Sequence, residues 1–303
     1  MTPAGWAALA ILGATAPVVP GIVVKTKSLL TGRRGAPVLQ LYYDLWKLVR
    51  KGAVYSRTTT WVFRAGPVIV LASLIVATLF VPLDGRAAPA RFAGDVVAFA
   101  GLLALGRFAL VLAGLDTGSS FEGMGASREV TIATFAEPTL FLCFIALVLA
   151  TGDLSLSGML GTPLAAAWPR AGASLSLVGI SLFVLLLAEN CRVPVDDPAT
   201  HLELTMIHEV IVLDHGGPDL ALILYGSALK LALFGVLVVS VFVPRAGLPG
   251  PAAVAVLFAG VGVVAIAVGI VESVMARLRL TRVPQLLVGA AALALFGIIL
   301  QVQ

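Results

Sequence analysis

The chain has 303 residues, of which 59% are apolar and 12% charged, against about 45–50% and about 25% in a soluble globular domain. That balance excludes water as the main solvent, and a net charge of +4 gives no argument for nucleic acid as a partner. The two cysteines, Cys143 and Cys191, have neither CxxC nor any other ligand spacing, so the chain is expected to bind no iron–sulfur cluster or zinc of its own.

Apolar runs of about 20 residues, each enough to cross about 30 Å of hydrocarbon, recur from end to end. The first, 4–24, has no Lys or Arg before Lys25 and no early Cys, so it lacks the basic start of a cleaved signal peptide and is expected to persist as a helix. The loop 25–61 carries TGRRGAPVLQLYYDLWKLVRKG. After Pro37 it places Val38, Leu41, Leu45, Leu48 and Val49 at helical spacing with charges between them, the pattern of an amphipathic helix at the interface or under another subunit. Further spans are predicted at 62–83, 93–115 and 129–150. In the last of these Glu137 precedes Pro138, whose ring disturbs the helical ladder and frees a carbonyl. A fifth span, 171–190, ends beside Glu189.

The loop 191–219 reads as ordered. Asp197 caps a helix opened by Pro198, and Gly216, Gly217 and Pro218 end it. On that helix His201, His208 and His215 fall along one stripe, with Glu203 and Asp214 roughly opposite. Successive histidines, about 10 Å apart, cannot share one metal ion, and His208-Glu209 lacks the second His of a zinc protease motif. Spans at 220–243, 252–272 and 284–301 complete eight. The expected fold is an all-α membrane protein, one polytopic domain over 1–303 with ordered loops at 25–61 and 191–219.

Odd-numbered loops and their flanks hold Lys25, Lys27, Arg33, Arg34, Lys47, Arg50, Lys51, Arg57, Arg64, Arg128, Arg192, Arg277, Arg279 and Arg282. Even-numbered loops hold only Arg86, Arg91, Arg170 and Arg245. The positive-inside rule turns the odd loops to the cytoplasm of a cell inner membrane and puts both termini outside.

Ionisable groups inside or at the edge of spans are costly in hydrocarbon and are functional candidates for that reason. They are Asp95, Arg107, Glu129, Glu137, Glu189, Lys230 and Glu272. Lys230, near the middle of its span, requires a carboxylate partner or a depressed pKa; the partner of Arg107 is not legible. Glu189, Asp196, Asp197, Glu203, Glu209 and Asp214, with Asp116, Glu122 and Glu129, form an acidic set able to hold protons if clustered. The plain alternatives are structural ion pairs and a solvated acidic loop. No phosphate loop, dinucleotide fingerprint or nucleophile elbow occurs, so the chain is expected to do no redox chemistry alone.

The segment ENCRVPVDDPATHLELTMIHE, 189–209, resembles the most recognisable stretch of the complex I membrane subunit that joins the membrane arm to the hydrophilic arm, NADH dehydrogenase subunit 1. That family reads roughly E-T-N-R-x-P-F-D and then E-L; here Glu189, Asn190, Arg192, Pro194, Asp196, Glu203 and Leu204 match. GRRGAPVLQLYYDLWKLVRKG, AGLDTGSSFEGMGASREVTIATFAEP and ARLRLTRVPQLL agree in order, so the resemblance covers nearly the whole chain. Val195 in place of Phe, the PATHLELTMIHE wording and the intramembrane Lys230 depart from the quinone-reducing pattern. They resemble the counterpart subunit of formate hydrogenlyase and related membrane-bound nickel–iron hydrogenases.

That resemblance implies a seat for the hydrogenase large and small subunits and a ferredoxin-like iron–sulfur subunit on the two ordered loops, through Arg33, Arg34, Asp44, Lys47, Arg192 and Asp197. Nickel–iron and iron–sulfur centres belong to those partners. It also implies a polar path toward antiporter-like membrane subunits through Glu129, Glu137, Glu189, Asp196, Glu203 and Glu209; Lys230 joins the set from its depth. Beyond Glu203 the spacing differs from the complex I pattern. The remaining readings are a quinone-site-forming subunit of a proton-pumping NADH–quinone oxidoreductase, a stand-alone ion transporter and a passive scaffold.

Overall fold

The computed structural model describes residues 3–196, 206–245 and 247–302. The first span is a bent pair, α1 (Pro3–Thr15) and α2 (Val18–Leu30), meeting at 48°. The break falls at Pro17, which has no N–H to give Gly13 and so frees that carbonyl. The Tyr225 hydroxyl donates to Gly13 O at 2.9 Å, and the Tyr42 hydroxyl donates to the neighbouring Ala14 O. The expected amphipathic helix is α3 (Gln40–Val49), lying against α2 and α10.

Then follow α4 (Trp61–Thr78), α5 (Asp95–Asp116), α6 (Ser120–Thr151), the short α7 (Leu156–Met159), α8 (Thr162–Glu189), the short α9 (His208–Ile211), α10 (Gly217–Phe242), α11 (Gly250–Val274), a 3-10 turn (Leu280–Arg282) and α12 (Val283–Val302). Among the described residues seven helices are long and apolar enough to cross a membrane, or eight spans with the bent pair taken as one. The all-α expectation holds, with no strand among the described residues.

Two expectations about the helices are corrected. Helix α6 begins at Ser120, nine residues ahead of the apolar run, because a helix inside protein need not stop where hydrocarbon does; α8 begins at Thr162 but is kinked at Ala171 (φ −118°, ψ 18°), where the expected span starts. The single helix expected from Pro198 through the Gly-Gly-Pro does not form. Only His208–Ile211 is helical between Met206 and Gly216, and Gly216 is the N-cap of α10, with Pro218 in its first turn. Proline suits a helix start as well as the stretch after an end, and the sequence does not separate the two uses. His208 and His215 therefore do not share a helical stripe; Asp197, His201 and Glu203 lie outside the described residues.

The most deeply buried span is α10, packed on α4, α8 and α11. Helices α4 and α5 approach closely because Gly66 faces Ala109 and Ala113, and Gly106 faces Ser73, the small-residue contact that lets membrane helices pack by van der Waals fit. At the end away from the basic loops, the buried Arg245 fastens α10 to the segment after α4 by donating to Leu83 O (2.8 Å), Pro82 O (3.2 Å) and Ser240 Oγ (2.8 Å). Burial lowers its pKa to about 10.

Candidate functional site

Arg107 is the hub of a buried charge network. Its Nη2 lies 2.5 Å from Glu189 Oε1, its Nη1 2.5 Å from Glu137 Oε1, and its Nε 3.6 Å from Glu129 Oε1. Lys230 Nζ lies 2.8 Å from Glu189 Oε2. Four helices thus contribute: α5 the guanidinium, α6 two carboxylates, α8 one and α10 the ammonium. The side chains of Arg107, Glu129 and Glu189 are 8%, 9% and 5% exposed, whereas that of Glu137 is 46% exposed.

Each side chain is placed by local structure. Gly106 lets α5 press against α4, which fixes Arg107 beside it. Glu137 and Glu129 sit eight residues apart on α6, close to two turns and so on one face. Glu189 is the last residue of α8, where carbonyls lose their helical donors. Lys230 Nζ donates to the Glu189 carbonyl at 2.6 Å and Asn190 Nδ2 to Leu186 O at 2.8 Å; a cation at a helix C-terminus also opposes the helix dipole favourably. Beyond that end, Cys191 takes φ +47° and donates its thiol to Glu129 Oε2 at 3.7 Å. Burial pushes the Cys191 thiol pKa well up, so it is a neutral donor.

Three linked spaces cross the site. A small chamber of about 50 Å3 is lined by Arg107, Glu129, Glu189, His208, Ser227 and Lys230 among others. On the basic side it shares Asn190, Cys191, His208, Ile223 and Ser227 with a cavity of about 460 Å3, whose wall also includes Arg192, Asp196, Glu209 and His215. On the other side it shares Leu103, Arg107 and Glu189 with a crevice of about 240 Å3, bounded by Gly101, Ala104, Phe141 and the half-exposed Glu137. The row of polar groups therefore runs from the basic end of the bundle to its lateral surface.

Further charges hold the basic end together. Glu272, 1% exposed, meets Lys27 at 3.0 Å and Arg192 at 3.5 Å, joining α11 to α2 and to the segment after α8. Asp196 pairs with Arg277 at 3.0 Å and accepts from Ile207 N at 2.8 Å. Arg128 donates to Met206 O at 2.8 Å, and Glu122 Oε1 accepts from Asp214 N at 3.0 Å. His208 Nε2 lies 3.1 Å from Ser227 Oγ, and burial lowers the His208 pKa. His215 stacks on Phe63 at 3.9 Å, its ring nitrogens without a hydrogen-bond partner among the described residues. Burial lowers its pKa as well, against Asp219 and Asp214.

Of the residues singled out from sequence, Glu129, Glu137, Glu189 and Lys230 meet around Arg107. Asp196 and Glu209 stand one cavity away, on the wall shared with Arg192. Arg33 and Arg34 border an open cleft with Lys25. Asp44 accepts from Gln40 Nε2 at 2.9 Å, and Lys47 is exposed on α3. The sequence showed Arg107 only as an unexplained charge. Its three carboxylates come from two helices that lie at least 22 residues further along the chain, beyond any local pattern.

A bundle of apolar helices with ionisable groups clustered at its centre defines a polytopic membrane protein. The chain belongs to the NADH dehydrogenase family, which it matches over residues 5–302. It is 32% identical to hydrogenase-4 component C of Escherichia coli over 231 residues, covering 75% of this chain and 71% of the relative. It is 30% identical to formate hydrogenlyase subunit 4 of the same organism over 288 residues, 91% of each. A chain of the archaeal membrane-bound sulfane sulfur reductase, a respiratory membrane complex, shares the fold with a TM-score of 0.84 at 20% identity, covering 98% of both chains.

Proposed function

We propose that this chain is the membrane-anchoring and proton-coupling subunit of a multisubunit hydrogenase complex of the formate hydrogenlyase kind. Family membership and the two hydrogenase relatives, one matched over 91% of its length, support the anchoring role. The basic loops then face the cytoplasm of an inner membrane, with both termini outside. The loops bearing Arg33, Arg34, Asp44, Lys47, Arg192 and Asp197 receive the hydrogenase large and small subunits and a ferredoxin-like subunit. Nickel–iron and iron–sulfur centres reside in those partners, and antiporter-like subunits adjoin the lateral face.

The observation that carries the coupling role is Arg107 held among Glu129, Glu137 and Glu189, with Lys230 on Glu189. Three carboxylates share two cations, so the cluster can take up one proton without leaving a cation unpaired. Such a set changes proton occupancy at low cost when a nearby charge changes. Charge altered in the docked module acts on Asp196 and Glu209 at the cavity wall and on Glu203 in the same loop, and shifts which of Glu129, Glu189 and Glu137 holds the proton, while Arg107 stays protonated and exchanges its carboxylate partners. Moving one charge against 100 mV costs about 2.3 kcal/mol, comparable to a pKa shift of under about two units.

The quinone-site reading has the cavity of about 460 Å3 between the ends of α8 and α10 in its favour. That reading expects the first loop in the wall, and no described residue of 31–60 lines this cavity. Deleting the gene tests the anchoring role. Hydrogenase activity is expected to move from the membrane to the soluble fraction; activity that stays membrane-bound contradicts it.

A further inference from the structure

We propose that the outward stripe of α3 lies in the headgroup layer and binds anionic phospholipid. The helix has two apolar faces. Leu41, Leu45 and Leu48 are partly covered on the side that meets α2 and α10. On the far side Leu39, Tyr43, Trp46 and Arg50 form one stripe at helical spacing, with Tyr43 56% and Trp46 60% exposed. Arg50 Cζ sits 4.2 Å from the centroid of the Trp46 ring, so a cation and an indole occupy one spot, as they do where a side chain is apolar at one end and wet at the other.

The depth of α3 decides what covers that stripe. The Tyr42 hydroxyl reaches Ala14 O, and the Val38 carbonyl abuts Gly21 so closely that a Cβ there would collide with it. Ala14 and Gly21 both belong to the bent apolar pair α1–α2. The helix therefore lies at the membrane beside that pair, with its outer stripe turned away from α2 and α10. An amphipathic helix so placed buries aromatic and aliphatic side chains at the headgroup boundary. Its charge surroundings select the lipid. From 48 to 64, apart from the residues assigned above to subunit docking, the chain has four basic residues, Arg50, Lys51, Arg57 and Arg64, and no acidic one. Basic residues at the membrane surface favour anionic over zwitterionic headgroups.

The test uses the purified protein with whatever subunits accompany it, reconstituted in phosphatidylcholine bilayers with a trace of spin-labelled phosphatidylglycerol or spin-labelled phosphatidylcholine. The native protein is expected to immobilise the phosphatidylglycerol probe with about fivefold preference. Arg50→Gln with Lys51→Gln is expected to remove most of that preference, and Trp46→Ala to lower immobilisation of both probes. Equal immobilisation of the two probes by the native protein, or a preference unchanged in the double variant, would overturn the proposal. A benzophenone side chain installed at position 43 is expected to cross-link phospholipid; a protein adduct there would show that a membrane subunit covers the stripe and would equally overturn it.

Discussion

Lys230 binds Glu189 twice: its ammonium lies 2.8 Å from the carboxylate and donates to the same residue's carbonyl at 2.6 Å. One side chain from α10 thus closes the last turn of α8 and balances the carboxylate that Arg107 also holds. Removing one partner of a buried pair leaves an uncompensated charge, at a cost of about 3–5 kcal/mol. Lys230→Met is expected to lose about 3 kcal/mol, the low end of that range, since Glu189 keeps Arg107. Glu189→Gln combined with Lys230→Met is expected to lose less than the two single changes together. Unfolding in detergent, run as a double-mutant cycle, measures the coupling; additive losses would mean that the pair is not an energetic unit.

Glu137 differs from its partners in being half-exposed at the lateral crevice. Glu137→Gln is therefore expected to change stability by less than about 1 kcal/mol, in the manner of an exposed pair, and to abolish proton translocation while hydrogen turnover continues. Proton uptake per hydrogen formed, measured in sealed vesicles of the assembled complex, separates the two. An unchanged ratio would remove Glu137 from the path.

His208 and His215 have pKa values lowered by burial. The unfolded chain protonates them near about pH 6.5, and the fold does so only at lower pH. The unfolded state then binds more protons, so stability falls as pH drops below about 6.5 and is insensitive to these groups above it. Thermal unfolding across that range is expected to show an acid limb that flattens in His208→Gln and flattens further when His215→Phe is added. His215→Phe alone keeps the stack on Phe63 and removes two buried ring nitrogens that lack partners among the described residues, so it is expected to raise stability at neutral pH. A loss there would show that those nitrogens serve an interaction.

Glu272 is the sole carboxylate between Lys27 and Arg192 among the described ion pairs. Glu272→Ala is expected to cost about 3 kcal/mol by leaving two cations facing each other. Hydrogen exchange is expected to quicken in α2 and around Arg192 and to stay unchanged near Arg245 at the far end. Uniform exchange would show that the clasp does not act locally.

The long spans were legible because hydrocarbon thickness sets the length of an apolar run, and α3 because its leucines recur at helical spacing. The bend at Pro17 was not, since proline is tolerated in membrane helices and the two tyrosines that receive the freed carbonyls lie 28 and 212 residues away. The helix expected after Pro198 misled because Gly216-Gly217-Pro218 serves as a start rather than a stop. Lys230 announced its need for a carboxylate by depth alone, yet Glu189 as the answer required knowing which face of α8 meets α10. The hub role of Arg107 is a property of packing among α5, α6 and α8 that no single segment carries.

The measurement that tests the central claim most directly is purification of the chain from native membranes in mild detergent, followed by identification of the accompanying subunits and metal analysis. Nickel, iron and hydrogenase large and small subunits, in amounts comparable to this chain, are predicted. NADH-oxidising subunits with bound quinone, or a chain that purifies alone, would contradict the hydrogenase assignment.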